Sequence, residues 1–381
     1  MRSRDAERGR VSAAIEEVDG RDVRIGERWL VDFGSACHLG LDLDEEVIDA
    51  VPEYLARWGA QASWSPPTVL HERLSSALTR LVGCERLLLA PSIERAHLLA
   101  LPALAGTGTV FLDDRAGRSL VDAAAVAGDH GATVRPLRCG DPDRLVAQLR
   151  GGWRRPGLIC VEGVDPLTGA PSALAALATV ARDHGALLYV QDTAALGVLG
   201  ERSPFEPSPY GIRGSGTAAH LDADPAALVI AASLSSLCAS PVAFVASSEP
   251  VSRPLDAAAA ATGPCPQFVA ALAIAIEGLG VNERRGDLLR ARLHRLAERA
   301  LGPLRAGERA ARGIPAFPAM ELERGAREAL LEHGIHAPAR GPTGGPVVRI
   351  TAAHTDEQVD QLRLALDSVP SPVKLRSVPA E

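Results

Sequence analysis

The run AASLSSLCASPVAFVAS, residues 231–247, places Ser233, Ser235, Ser236 and Cys238 at the end of an apolar stretch that reads as a strand, and it carries no charge. Hydroxyls and a thiol in that position are the residue types of nucleophilic catalysis. Such a nucleophile needs an adjacent base and a place for a developing oxyanion. Ser236 and Cys238 are the candidate nucleophiles, with Asp192 and His38 as candidate acid–base groups. Plainer roles stand beside these: Ser236 as a space-filling hydroxyl, Cys238 as a core thiol, His38 as a histidine satisfied at an interface. One count limits the chemistry further. The chain has a single lysine, Lys374, and every other member of its Lys+Arg total is arginine. No internal lysine amine is available for covalent catalysis.

For these residues to act together, the elements carrying them must converge. From residue 86 the pattern alternates between short apolar runs and segments of helical spacing: RLLLA, GTVFLDD, TVRPLRC, GLICVEG, ALLYVQD, AALVIAAS and PVAFVAS read as strands. The intervening ERAHLLALPALAG, RSLVDAAAVAGDHG, DPDRLVAQLRG and SALAALATVARDHG read as helices. That alternation predicts an α/β fold with a mostly parallel central sheet and helices on both faces. Ligands of such sheets bind at the carboxyl ends of the strands. The candidate site is therefore built from Pro91–Ser92, Asp113–Asp114, Glu162–Gly163, Gln191–Asp192 and Ser233 to Cys238. Ahead of the sheet, VRIGERWLVDF reads as a hairpin around Gly26–Glu27, followed by helices in GLDLDEEVIDAVPEYLARWG and HERLSSALTRLVG. After about residue 255, PQFVAALAIAIEGLG and ERRGDLLRARLHRLAERALGPLRAG read as two long helices. PVVRITAAH then reads as a strand and DEQVDQLRLALDSV as a closing helix, which gives a smaller C-terminal α+β domain. The predicted division is 1–45 as an N-terminal hairpin arm, 46–255 as the large domain and 256–381 as the small one.

Composition excludes several classes. The chain has 381 residues, 46% hydrophobic and 23% charged, with net charge −7. It has no dense basic block and only 3% aromatic residues, so a nucleic-acid partner lacks both electrostatic and stacking support. No apolar run reaches the ~18 residues needed to cross a bilayer, and MRSRDAERGR does not read as a secretory signal. The expected location is the cytoplasm. Cys37, Cys84, Cys139, Cys160, Cys238 and Cys265 form no CxxC pair, which predicts reduced thiols and no metal site. The arginine-rich helix mixes in Asp and Glu and reads as a solvated face. GIRGSGTAAH, though glycine-rich, reads as a loop, as do residues 203–218 and 337–346, and the last dozen residues read as frayed.

Several blocks in order resemble one known family. HGALLYVQDTAALGVLGERS is similar to the "DDAH" stretch of the α-oxoamine synthases, enzymes of pyridoxal phosphate (PLP) fold type I. VDFGSACHLGL resembles the family's "SNdYLGL", and VLHERLSSALTRLVG its "HrrLEeaLAeflG". CVEGVDPLTGAPSAL and RITAAHTDEQVDQL match two further blocks. The resemblance implies a fold type I transferase and a dimer whose site lies between subunits.

At the reactive positions the resemblance breaks. The family's Schiff-base lysine falls on Ser236, and the near absence of lysine excludes a local alignment slip. The aspartate that pairs with the pyridinium nitrogen falls on Gln191, and a neutral amide cannot hold that charge. Asp192 matches the next aspartate, whose side chain on a strand should face the other way. The "DDAH" histidine becomes Ala194, the ring-stacking histidine becomes Gly117, and the phosphate turn reads PSIERA, with Glu94 where it would repel a phosphate. Ser233 matches a phosphate-binding threonine, Glu162 a family glutamate, and Thr262 a threonine lent across the dimer. Arg349 lies near the substrate-carboxylate arginine, which gapless alignment places at Val347. His38 replaces a family tyrosine close to the site.

These departures predict that no cofactor is used and that PLP binding is weak or lost. Two functions remain open. One is a non-catalytic partner subunit, in a homodimer or with a lysine-bearing family member, of a dimeric acyltransferase-type enzyme. The other is a PLP-independent enzyme acting on an acyl thioester or small carboxylate through Ser236, Cys238, Asp192 and His38.

Overall fold

Strands buried on both faces need unbroken apolar runs, and the two at the centre of this chain have them: Gly157–Glu162 and Leu228–Ser233 are buried at every position. They belong to a seven-stranded sheet in a computed structural model that describes residues 14–62, 67–137, 142–202, 208–263, 266–302, 314, 317–338 and 344–369. The spatial order is Arg86–Ala90, Ala243–Ser247, Leu228–Ser233, Ala186–Gln191, Gly157–Glu162, Thr109–Asp113, Thr133–Leu137. Ala243–Ser247 runs antiparallel to both its neighbours, and the other pairs are parallel. The carboxyl ends of Arg86–Ala90, Thr109–Asp113, Gly157–Glu162, Ala186–Gln191 and Leu228–Ser233 therefore lie along one edge. Glu162 sits opposite Gln191, and Gln191 opposite Ala231.

Helices cover both faces. Ile93–Ala105, Arg118–Asp129 and Glu249–Thr262 enclose one apolar cluster around Val110, Cys160, Tyr189 and Val245. Val69–Val82, Leu174–His184 and the long helix Val269–Leu301 enclose the other, around Phe111, Ile159, Leu188 and Phe244.

Two helices depart from the pattern expected of the sequence. The two long helices predicted after residue 255 are one, Val269–Leu301, of 33 residues. Gly278 and Gly280 read as a stop, but Gly278 serves a close approach instead. A Cβ there would lie 2.4 Å from the Cβ of Cys238. Asn282, in the expected break, continues the helix and donates from Nδ2 to the Arg213 carbonyl at 3.0 Å. Glu249–Thr262 is a helix that the spacing did not announce, because its alanine run carries little apolar periodicity; Ser248 is its N-cap residue and a proline stands in its first turn.

The hairpin forms as predicted, Asp22–Ile25 against Arg28–Asp32. Ile335–His336 adds to Arg28–Asp32 in parallel, so the N-terminal strands share a sheet with a C-terminal segment. Val347–Arg349 pairs with Ala319–Glu321, and Asp356–Asp367 is the closing helix. His354 fastens these layers. Its ring stacks on Phe33 at 4.3 Å and 7°. The Thr351 amide donates to Nδ1 at 3.0 Å, which leaves the proton on Nε2 to donate to the Asp32 carbonyl at 3.0 Å. Lys374, the tail, Cys139, Cys265 and parts of the two predicted loops lie outside the described residues. Among the described residues, no helix is long and apolar enough to cross a membrane.

Candidate functional site at the sheet edge

Gln191 ends its strand and Asp192 follows it, and the two side chains part company. Asp192 is fully buried and accepts two hydrogen bonds from Thr217, one from its amide at 2.7 Å and one from its hydroxyl. It starts the short helical turn Thr217–His220 in this way. A Cβ on Gly163 would lie 2.2 Å from Asp192 Oδ1, and one on Gly216, whose φ is +97°, 2.2 Å from Oδ2. Both glycines are required by the carboxylate beside them. Burial pushes the Asp192 carboxyl up to about 6 against the two Thr217 bonds, which favour the anion.

Gln191 turns to the other side. Its Oε1 accepts from the Thr193 amide at 2.8 Å. The Ser233 amide donates to Thr193 Oγ1 at 3.0 Å, and the Ser235 amide to Ser233 Oγ at 3.2 Å. Ser236 lies in the turn Ser235–Cys238 directly after the Leu228–Ser233 strand and is buried. Its hydroxyl donates to the Thr193 carbonyl, with the Leu196 carbonyl 3.4 Å away. Gln191, Ser233 and Ser236 therefore meet at one residue, Thr193.

Glu162, opposite Gln191 in register and on the same face, accepts at Oε1 from the Gly117 amide at 2.8 Å. Burial raises its carboxyl to about 8, opposed by the Gly117 bond and reinforced by Asp113, Asp192 and Asp165. At neutral pH it carries a proton. Asp113 is also held above the usual carboxylate range by burial, against the nearby Arg115 guanidinium. Gly117 carries no side chain, and a Cβ there would lie 3.1 Å from Glu162 Oε1. Ser92 is the N-cap of Ile93–Ala105, its Oγ accepting from the Arg95 amide at 3.3 Å, and Glu94 stands exposed in the first turn.

His38 meets Ser236 through the main chain: its amide donates to the Ser236 carbonyl at 3.1 Å. The Ala352 amide donates to the His38 carbonyl at 2.8 Å, and the ring Nδ1 bonds the Ile350 carbonyl at 3.0 Å. Burial lowers this imidazole to about 4, so it is neutral. Cys238 is fully buried beside Gly278, and burial pushes its thiol up to about 12. Thr262 is exposed at the end of its helix, its hydroxyl donating to the Ala258 carbonyl at 3.0 Å. Arg349 is half-buried, and its amide donates to the Phe33 carbonyl at 2.7 Å; Val347 is in the core.

The structure thus gathers Gln191, Ser233, Ser236 and Glu162 at one edge with His38 alongside. It turns Asp192 away and sets Cys238 in the core. Thr193 and Thr217 are the site residues that sequence reasoning missed. Thr193 directly follows the Gln–Asp pair, but its part is played largely by its peptide group, which no side-chain pattern signals. Among the described residues, no group of three or more His, Cys, Asp or Glu side chains could hold a metal ion.

No protein-family model matches the chain. Individual proteins do. It is 33% identical over 380 residues to 8-amino-7-oxononanoate synthase of Alkalilimnicola ehrlichii, covering 93% of this chain and 92% of that one. It is 30% identical to the Chromobacterium violaceum protein of the same name, covering 92% of each. Among solved structures, a lysine-to-alanine variant of serine palmitoyltransferase of S. paucimobilis with a bound PLP–myriocin aldimine superposes with a TM-score of 0.75 at 20% identity, over 93% of this chain and 92% of that one. The 8-amino-7-oxononanoate synthase of Francisella tularensis superposes with a TM-score of 0.67 at 17% identity, over 89% and 96%.

Proposed function

The chain belongs to the α-oxoamine synthase family, and from that premise we propose that it is a non-catalytic member, a partner subunit for a lysine-bearing homologue in a dimeric acyltransferase-type enzyme. One observation carries the proposal. The hydroxyl of Ser236, the residue that the sequence resemblance sets at the family's lysine position, is spent on the main-chain carbonyls of Thr193 and Leu196.

The surrounding residues do not fit PLP either. Gln191 is neutral and its oxygen already takes the Thr193 amide, so it offers a ring nitrogen no counter-charge. Glu94 stands exposed in the first turn of Ile93–Ala105, where the resemblance sets the phosphate turn, and a docking anion would meet its carboxyl group there. No step of the family's cofactor chemistry is assigned to this chain.

The alternative, a PLP-independent enzyme using Ser236, Cys238, Asp192 and His38, has less support. A catalytic nucleophile must reach its base. Here Ser236 donates to carbonyls, Cys238 is a buried thiol, Asp192 is bonded to Thr217, and His38 Nδ1 is bonded to Ile350.

The test is native mass spectrometry of the tagged chain purified from its own host. A heterodimer with a lysine-bearing family member is the expected result. A homodimer with no such partner, active on an acyl thioester and inactivated by Ser236→Ala, would overturn the proposal.

A further inference from the structure

Polar groups at the end of a buried strand need partners, and in this chain they find them in one another. The Thr193 amide can only donate, so the Gln191 atom facing it at 2.8 Å is the carbonyl oxygen Oε1. That contact takes one of the two lone pairs on Oε1 and ties the oxygen to the main chain. A protonated ring nitrogen would meet there a neutral, already shared acceptor and no counter-charge. Ser236 has one hydroxyl proton, and it goes to the Thr193 carbonyl, with the Leu196 carbonyl at 3.4 Å behind it. The side chain at position 236 is therefore aimed into the 193–196 turn. Thr193 Oγ1 takes the Ser233 amide at 3.0 Å, which draws the end of the next strand onto the same residue.

We propose that Gln191, Thr193 and Ser236 form a clip that closes this strand end without a ligand, and that the clip, not the missing amine alone, keeps PLP off the chain. The inference rests on the reading that the chain does not use PLP, and it adds where the exclusion is built. An amine introduced at position 236 meets the Thr193 and Leu196 carbonyls first, because they are the acceptors the present side chain already faces. Restoring the lysine is then insufficient. The acceptor at 191 must be freed for the ring and the Thr193 tie to Ser233 released as well.

The experiment adds PLP to the full-length chain, to Ser236→Lys, and to the triple variant Gln191→Asp/Thr193→Ala/Ser236→Lys. A lysine amine that reaches the aldehyde condenses with it and releases one water. Borohydride then supplies hydride to the C=N bond and fixes the adduct as a secondary amine, which mass spectrometry locates on the peptide containing residue 236. The expected result is at least tenfold lower occupancy in Ser236→Lys than in the triple variant. Equal occupancy in the two overturns the clip, since the missing amine then accounts for the exclusion. No adduct in a folded triple variant overturns it too. PLP retained by the unmodified chain through gel filtration is a different failure, because it contradicts the functional reading itself.

A second measurement covers the case in which a buried amine unfolds the chain. Gln191→Leu, Ser236→Ala and their double variant, which remove the two side chains bonded to the Thr193 peptide, are melted with and without PLP. Groups that share a partner do not contribute additively. The clip predicts a Tm loss in the double variant smaller than the sum of the two single losses, and no change in any of them on adding PLP. Additive losses, or a rescue by PLP, would overturn it.

Discussion

Asp192 and Gln191 are neighbours on one strand end, and their surroundings differ in kind. The Asp192 side is over-determined. Two Thr217 donors hold the carboxylate, and Gly163 and Gly216 sit where any Cβ would come within 2.2 Å of it. The Gln191 side is a loose set of short polar groups that partner one another and leave Glu162 protonated beside them. One carboxylate is packed into the fold, while the amide beside it stands among exchangeable polar partners at the strand end. If the proposed function holds, a motif persists here as architecture on its packed side and changes on the other.

The largest predicted effect tests the packed side. Asp192→Ala strands two buried Thr217 donors and should cost about 4 kcal/mol, read as a Tm drop of roughly 10 °C. Gly163→Ala should behave similarly because of its collision with Asp192 Oδ1. A loss no greater than that of Gln191→Ala would erase the contrast between the two sides.

The next effect belongs to Glu162. Its folded value of about 8 lies above the ordinary 4.5, so its contribution is fully present below pH 4.5 and is lost as pH rises through 8. At about 1.4 kcal/mol per tenfold change in proton affinity, about 3 kcal/mol is lost by pH 7 and more by pH 8. Glu162→Gln should therefore be more stable than the parent at pH 8.5 and flatten the decline between pH 4.5 and 8. Denaturant midpoints at three pH values decide it, and an unchanged slope would contradict the buried, protonated carboxyl.

The acid side is set by His38, His97 and His354, all lowered to about 4 by burial, and His38 and His354 both lie at the junction of the N- and C-terminal strands. A depressed histidine contributes stability above its ordinary 6.5 that is lost as pH falls through 4. Each ring should lose about 3 kcal/mol by pH 4. Hydrogen exchange should show the Arg28–Asp32 and Val347–Arg349 strands opening first on acidification. Protection lost first in the central sheet would count against it. The smallest effects are Ser236→Ala, about 1 kcal/mol, and Thr262→Ala, near zero because its exposed hydroxyl only folds back on its own helix. A melt of each checks the ranking.

The sheet was legible in the sequence because its central strands are continuous apolar runs and the outer ones, such as Thr133–Leu137, still alternate with helical segments. The long helix was less so. Gly278 looks like punctuation until Cys238 is seen to need the space. Glu249–Thr262 was missed because alanine favours a helix without marking a face. At the site, Gln191 and Ser236 stood out as departures from a motif. Thr193 did not, since its peptide group does much of the bonding. The raised carboxyl of Glu162 depends on burial by distant elements, with Asp113, 49 positions away, reinforcing it and the Gly117 amide, 45 away, opposing it, which no local pattern reports.

The central claim is that this chain does not engage PLP. Its most direct test is to equilibrate the purified chain with PLP, remove free cofactor by gel filtration, and measure the PLP that stays with the protein by absorbance, because residues 14–369 hold no lysine amine through which an adduct could be fixed. The expected result is no PLP retained and no shift in Tm on adding it. A stoichiometric, site-specific complex at the Gln191–Ser236 edge would contradict it.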